Sequence, residues 1–363
     1  MNGLYVSENI KEARTLQAEF YTSEEMFRRS KEKIFERSWQ FAGDDDLLRL
    51  PDHIAPHILL PGFLDEPILF SHTRAGSLHC LSNVCTHRGN LLIEQACQRK
   101  DIVCRYHGRK FGMDGKFLRM PEFEEVVDFP SPQDDLPRVP FGRWGKFFFA
   151  GINPAPPFEA WIGEMKNRLQ WLPVREFKSA PVLSRDYLVK AHWALYCENY
   201  LEGFHIPFVH QSLNDLVDYG IYTTETYRYS SLQLGLSKNG EMVFDLPKAS
   251  PDYGKQVAAY YYWLFPNLMF NFYPWGLSVN VVKPISPQLT KVSFLTYMYD
   301  ETKGDQYSVA MMDKVEREDE AIVENVQRGV RSRFYAGGRY SPNREQGTHH
   351  FHRLICEFMN AEF

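Results

Sequence analysis

The chain has 363 residues, 44% of them hydrophobic and 24% charged, with a formal net charge of -5. That length and composition allow two globular domains, each with a core of its own. A small negative charge without any basic run points away from nucleic acid or an anionic membrane surface as a partner.

In chain order, the N-terminus carries Glu8, Lys11 and Glu12 and lacks the apolar stretch of a signal peptide. Thr22-Ser23-Glu24-Glu25 has the form of a capping box, and Met26, Phe27, Ile34 and Phe35 follow at helical spacing, which predicts a helix over 23–37. From Phe41 to Gly151 the pattern changes to short β-like runs, at 54–60, 67–72 and 78–84, broken by Pro61-Gly62 and Ala75-Gly76. Asp114-Gly115 is a hairpin turn signal.

Within this β-rich part, Cys85-x-His87 and Cys104-x-x-His107 are separated by sixteen residues, enough to bring the second pair back beside the first. Two thiolates and two imidazoles fit either a structural zinc or a two-iron cluster in which two histidines replace two cysteines on one iron. Zinc fingers usually pair like with like at each knuckle. The mixed knuckles here suit the cluster better. Cys80, Cys97, Cys197 and Cys356 are scattered without a disulfide-like rhythm, so a reducing cytoplasm is the expected compartment.

Pro154, Pro156 and Pro157 mark the exit from the β-rich part. An α+β region follows, with strands expected at 182–190, 260–264, 278–282 and 291–299 and a long helix beginning near Gln306. The most apolar run, 258–275, contains Pro266, Asn267, Asn271 and Pro274, which argues against a membrane span. Residues 196–210 begin in a plausible helix on which Asn199, Glu202 and His205 are spaced by three and project to one side. His210 would point away on an unbroken helix, but Pro207 forces a kink or stop and re-aims it. Two histidines with one carboxylate make the facial triad of a non-haem Fe(II) centre with positions open for O2. On helix 311–331, Met312, Val315, Ile322, Val323 and Val326 define an apolar stripe containing Asp319, and an inward carboxylate is costly without a partner such as a metal. Glu318 is the fallback ligand; if Asp319 is the ligand, replacing Glu318 should leave the iron in place. His349, His350 and His352 read as a surface patch or helix start, and Cys197 as packing.

The 85–107 stretch, with Gly108 after the last ligand, resembles the Rieske [2Fe-2S] family. Residues 199–210 resemble the N-x-x-D/E-x-x-H-x4-H element of Rieske oxygenase large subunits, and Glu318-Asp319 with Asn325-Val326-Gln327-Arg328-Gly329 resembles their C-terminal ligand helix. The resemblance covers essentially the whole chain. It implies an α+β fold: an N-terminal helical segment (1–40) packing on the catalytic domain, an all-β Rieske domain (41–152) and a helix-grip, START-like catalytic domain (153–363) with an antiparallel sheet. It further implies a homotrimer that receives electrons from a separate reductase or ferredoxin. Cys85, His87, Cys104 and His107 would hold the cluster, and His205, His210 and Asp319 the iron. Glu202 would bridge the two centres and Asn199 line the site. Arg109 stands where many relatives carry tryptophan, a departure expected to touch the cluster loop's surface and reductase docking, not ligation.

Glu202 in place of the aspartate usual in ring-hydroxylating relatives resembles the choline, carnitine and glycine-betaine oxygenase branch, as does the aromatic segment from Tyr260 to Gly276. The expected substrate is a small quaternary ammonium compound, held by aromatic faces, although aromatics alternating on a strand are usually sheet core. Two alternatives stand beside this: an aromatic-ring-hydroxylating dioxygenase alpha subunit, and a Rieske electron carrier without catalysis, which would have one iron centre.

Overall fold

The computed structural model describes residues 3–210, 223–237, 242–300, 302 and 309–362, with the backbone alone at 309–312. The chain forms two compact units. One is Trp39–Pro154; the other combines Met1–Ser38 with Ala155–Phe363, so one boundary falls within the proline cluster at 154–157.

The first unit is built of short antiparallel strands: β1 (Gln40–Asp44), β2 (His53–Leu59), β3 (Glu66–His72), β4 (Leu78–Ser82), β5 (Cys97–Gln98), β6 (Asp101–Val103), β7 (Lys110–Gly112), β8 (Phe117–Arg119), β9 (Phe141–Trp144) and β10 (Phe147–Ala150). They form sheets in the orders β4-β3-β2-β5, β6-β7-β8 and β1-β10-β9. Alternation along the strands turns Ile54, Leu69, Leu81, Ile102 and Phe111 into a core that Cys85 and Cys104 also reach. Asp114-Gly115 lies in the turn from β7 to β8, closed by the Gly112 amide donating to the Lys116 carbonyl at 2.8 Å.

The second unit opens with α1 (Ala18–Thr22) and α2 (Glu24–Ser30), which continues as a single π turn, Lys31–Phe35. The cap of α2 is Ser23, whose Oγ accepts from the Met26 amide at 3.3 Å, and not Thr22, whose hydroxyl donates back to the Ala18 carbonyl. Among the described residues the central antiparallel sheet has eight strands: β11 (Lys178–Ser179), β12 (Arg185–Val189), β13 (Thr223–Thr226), β14 (Ser230–Leu236), β15 (Val257–Leu264), β16 (Leu268–Tyr273), β17 (Gly276–Ser286) and β18 (Leu289–Met298). Its order is β11-β18-β17-β16-β15-β14-β13, with β12 also paired to β18. Val182, expected in a strand, sits instead in a 3-10 turn, Pro181–Leu183, where the proline ring favours the turn over extension. Helices α3 (Phe158–Arg168), α4 (Trp193–Tyr200), α5 (Ile206–Val209), α6 (Val309–Gly329) and α7 (Gln346–Asn360) complete the unit. Gln306, the expected helix start, lies outside the described residues.

The two sheet faces differ. Gln233, Tyr261, Asn271, Ser278 and Thr296 are mutual neighbours across β14 to β18 and share one face. That face meets α4, because Tyr200 donates to Asn271 Oδ1 at 2.6 Å and Gln233 Nε2 donates to the Tyr200 carbonyl at 2.6 Å. The opposite face carries Leu232, Leu234, Tyr260, Tyr262, Phe270 and Phe272, all buried. Helix α4 is further wedged by Trp193, whose ring lies 4.9 Å from Phe35 and 5.7 Å from Phe351, while Phe351 lies 5.1 Å from Trp263 on the sheet. Among the described residues no helix is long and apolar enough to cross a membrane.

Candidate metal centres

In the first unit, the two ligand pairs occupy two loops of the same design. The Gly89 amide donates to the Cys85 carbonyl and the Gly108 amide to the Cys104 carbonyl, both at 3.0 Å. Each loop closes on a glycine in the left-handed region, with φ 69° at Gly89 and 76° at Gly108, where a side chain would be strained. The His87 and His107 rings meet edge to face at 4.8 Å. Cys85 and Cys104 are buried and close enough for their thiols to interact; burial first, and then the neighbouring Cys104, raise the Cys85 pKa. Asn90 Nδ2 lies 3.7 Å from Cys104 Sγ.

Nδ1 of His107 is buried and, among the described residues, has no hydrogen-bond partner. An imidazole nitrogen left so is costly unless its lone pair binds something. Two buried thiols and two adjacent imidazoles, one with an orphan nitrogen, fit a metal cluster at this place.

Arg109 corrects one expectation. It is not on the loop surface: it is 2% exposed, with its guanidinium 5.0 Å from the Phe117 ring centroid and Nη2 2.5 Å from Asp134 Oδ1. The residue that does cover the loop outwardly is Tyr106, 57% exposed and 3.7 Å from the His107 ring.

The second constellation grows from α4. The helix stops at Tyr200, so Asn199, Glu202 and His205 do not share one helix as expected; Leu201–Phe204 turn the chain into the short α5, where Pro207 fits the first turn because its missing N–H is not needed there. His205 and His210 flank α5, and their ring centroids come to 5.2 Å. Donor atoms of His205, His210 and Asp319 all lie within 4.8 Å of one another, the one such group of three among the described residues. Asp319 Oδ1 is 2.9 Å from His210 Nε2 and 3.5 Å from His205 Nε2. Each histidine is held from behind by a carboxylate: His205 Nδ1 lies 2.7 Å from Glu202 Oε1, and His210 Nδ1 lies 2.8 Å from Glu318 Oε2. Those bonds keep the proton on Nδ1 and turn both Nε2 lone pairs towards the Asp319 oxygen. Lone pairs facing a carboxylate need a cation between them. Two imidazoles and one carboxylate fit non-haem iron, and without it a proton is drawn in: burial opposes a charged His210, but Asp319 and then Glu318 outweigh it and raise its pKa.

The phase of α6 differs from the apolar-stripe reading. Ile322 and Val326 are 38% and 42% exposed, whereas Glu316, Val323, Gln327 and Val330 form the buried line; the Met312 side chain lies outside the described residues. Polar bonds decide the phase. Tyr196 donates to both Glu316 oxygens at 2.8 and 2.9 Å, the Lys190 amide to Glu324 Oε1 at 3.0 Å, and the His192 amide to Gln327 Oε1 at 2.7 Å. Burial, and then the Asp319 charge, push the Glu316 carboxyl well above its ordinary range, so it can stay neutral behind the site. With α6 fixed against α4, Asp319 faces the histidines from the border of the buried line.

Glu318 is therefore the orienting partner of His210, a role the expectation that its loss would leave the iron in place overlooked. A signal was available: neighbouring helical residues point about 100° apart, and one histidine with two nitrogens can reach both. Asn199 is half-buried in the last turn of α4 and, among the described residues, takes no part in the bonds around the three donors. His349 and His352 lie at a helix start, as one of the two readings had it, but are not a surface patch: both are buried in the first turns of α7, with His349 Nε2 2.8 Å from the Ser7 carbonyl, His352 Nδ1 2.5 Å from the Tyr340 hydroxyl and His352 Nε2 3.0 Å from Glu198 Oε1. Cys197 is fully buried in packing.

The family profile of the ring hydroxylating alpha subunit (catalytic domain) matches residues 174–361, and that of the Rieske [2Fe-2S] domain matches residues 61–130. The chain belongs to the ring-hydroxylating alpha-subunit family. This alpha subunit is 27% identical to choline monooxygenase, chloroplastic, of Arabidopsis thaliana, over 95% of this chain and 83% of the relative. It is also 27% identical to the carnitine monooxygenase oxygenase subunit of Escherichia coli (strain K12), over 96% and 95% of the two chains. A solved quaternary ammonium Rieske monooxygenase, studied for carnitine oxidation by gut microbiota and inter-subunit electron transfer, has the same fold, with a TM-score of 0.78 at 23% identity over 98% and 100% of the chains. The alpha subunit is thus a Rieske-type oxygenase that works with a [2Fe-2S] cluster, mononuclear iron and O2. The carrier reading, with one iron centre and no catalytic domain, falls away.

Proposed function

We propose that this alpha subunit hydroxylates a small quaternary ammonium compound of the choline or carnitine type. The observation that carries the reading is an aromatic cluster on the α4 side of the sheet. Tyr261 and Tyr273 meet edge to face at 5.9 Å, and Tyr273 stacks on Trp275 at 5.1 Å and 7°. Most other aromatics of the segment, Tyr260, Tyr262, Trp263, Phe265, Phe270 and Phe272, are sheet core. Tyr261 and Tyr273 are only half-buried and share the face on which Asn271 binds Tyr200, two residues before Glu202. Each ring facing a quaternary ammonium adds about 0.5–2 kcal/mol by cation–π attraction. The choline and carnitine monooxygenases among the relatives favour the same class.

In this reading Cys85, His87, Cys104 and His107 hold the cluster, and His205, His210 and Asp319 hold the iron. When bound, the two centres supply stored electrons and the activation of O2. Electrons arrive from a separate reductase or ferredoxin, and the working assembly is a homotrimer. Glu202 Oε2 accepts from the Phe204 and His205 amides, which fixes the carboxylate, while Oε1 holds His205 Nδ1 and keeps a second lone pair. That spare acceptor suits His107 of a neighbouring copy, which would make Glu202 the bridge between the centres.

The test is turnover of metal-loaded protein with a promiscuous reductase, O2 and a panel of choline-like cations and neutral arenes, read by product mass. A hydroxylated or dealkylated ammonium product is expected, with a raised KM for the cation in Tyr261→Leu. Dihydroxylation of an arene with no response to the cations would overturn the reading.

A further inference from the structure

We propose that the ion pair of the buried Arg109 with the half-buried Asp134 sets the reduction potential of the cluster, with the two charges acting in opposite directions. The pair joins both ligand loops. The Cys104 amide donates to the Arg109 carbonyl at 2.8 Å, so the arginine backbone is part of the second loop. Thr86, between Cys85 and His87, donates its hydroxyl to the Asp134 carbonyl at 2.9 Å, and Arg109 Nη2 donates to the same carbonyl at 3.2 Å. Asp134 Oδ1 takes the guanidinium at 2.5 Å, while Oδ2 accepts from the Ser131 amide and hydroxyl at 2.7 and 3.0 Å.

The surroundings make these charges felt. Phe117, Phe129 and Phe111 lie around the guanidinium at 5.0, 5.5 and 5.7 Å, and the Arg109 side chain is 2% exposed against 20% for Asp134. Arginine stays charged under any such burial. In a poorly screened interior a fixed charge acts strongly over several ångströms, and the potential of an iron–sulfur cluster follows the charge around it. Reduction adds an electron to the cluster. A nearby cation therefore favours the reduced form and an anion disfavours it. This chain thus has a buried cation with its own counter-charge tied to both ligand loops, and the balance between them is a tuning element.

The inference rests on the cluster being held by Cys85, His87, Cys104 and His107, and the experiment separates the two claims. Potentials are measured on the full chain by redox titration, followed by the EPR signal of the reduced cluster, with iron content measured in parallel. Asp134→Asn is expected to raise the potential, moving the reduced-to-oxidised ratio at fixed ambient potential about tenfold, or about 59 mV for one electron. Arg109→Met should lower it, Arg109→Lys should stay near the parent protein, and the double variant Arg109→Met with Asp134→Asn should return towards it. A packing role alone predicts no opposed signs. If Asp134→Asn does not move the potential, or Asp134→Asn and Arg109→Met move it the same way, the proposal is overturned. If Arg109→Met fails to hold the cluster, Asp134→Asn and Arg109→Lys decide the matter, and loss of the cluster in both makes the pair structural and also overturns it. Absence of a Rieske signal in the parent protein would instead defeat the ligand assignment.

Discussion

Glu318 does not face the proposed iron, yet its removal should weaken iron binding. Its Oε2 lies 2.8 Å from His210 Nδ1 and fixes the tautomer that turns Nε2 towards Asp319. Carboxylates behind a ligating histidine typically contribute about 10–100-fold to metal affinity, or roughly 1.4–2.7 kcal/mol. Glu318 is 29% exposed and has Lys314 3.8 Å away, so partial screening places Glu318→Ala in the lower half of that range, at about 10–30-fold. Glu318→Gln, which keeps an acceptor without the charge, should fall between the parent and alanine variants. Asp319→Ala, which removes one of three donors, should abolish stoichiometric binding. The assay is anaerobic titration of iron-stripped, cluster-loaded protein with Fe(II) against a competing chelator, with the cluster spectrum as internal control. An affinity of Glu318→Ala within twofold of the parent protein would refute the orienting role. Loss of iron in Glu318→Ala together with retention in Asp319→Ala would exchange the two residues.

Four further outcomes are expected. Cys85→Ser should remove the Rieske EPR signal of the reduced protein, while a colourless parent protein containing stoichiometric zinc would refute the cluster. Glu202→Gln should keep both centres and slow turnover severely; mixed trimers of the inactive Cys85→Ser and Asp319→Ala chains should regain activity, and verified mixed trimers that stay inactive would place transfer within one chain. His192 is fully buried at the start of α4 among Phe20, Tyr21 and Phe27, and burial pushes its pKa down to about 3. The unfolded chain then binds a proton below about pH 6.5 that the folded chain refuses. Stability from this group is therefore complete above that pH and lost as the pH falls towards 3, by about 2 kcal/mol at pH 5. His192→Asn, which retains a capping acceptor, should flatten the fall in Tm between pH 7 and 5; an unchanged slope would refute the assignment.

Short-range chemistry was legible in the sequence. Cys85, His87, Cys104 and His107 could be singled out as candidate ligands because ligand type and spacing are local, and the loops that present them close within four residues on Gly89 and Gly108. His205 and His210 were singled out from their spacing around Pro207, but the break that re-aims them comes earlier, at Leu201–Phe204, and Pro207 opens the next short helix instead of ending the first. Asp319 was named through an apolar stripe that the structure does not have. What places that carboxylate by the histidines is the set of bonds from Lys190, His192 and Tyr196 to Glu324, Gln327 and Glu316, made between segments more than a hundred residues apart. Periodicity reports where apolar residues recur along one helix. It cannot report that a buried glutamate and glutamine are satisfied by another helix. Arg109 went the same way: a charge beside a ligand loop reads as surface until Asp134 and three phenylalanine rings are seen to enclose it. Residue type and spacing determined which chemistry the chain can perform, and only long-range pairing of buried polar groups decided how each ligand is aimed, because their cost is cancelled by partners that no local pattern contains.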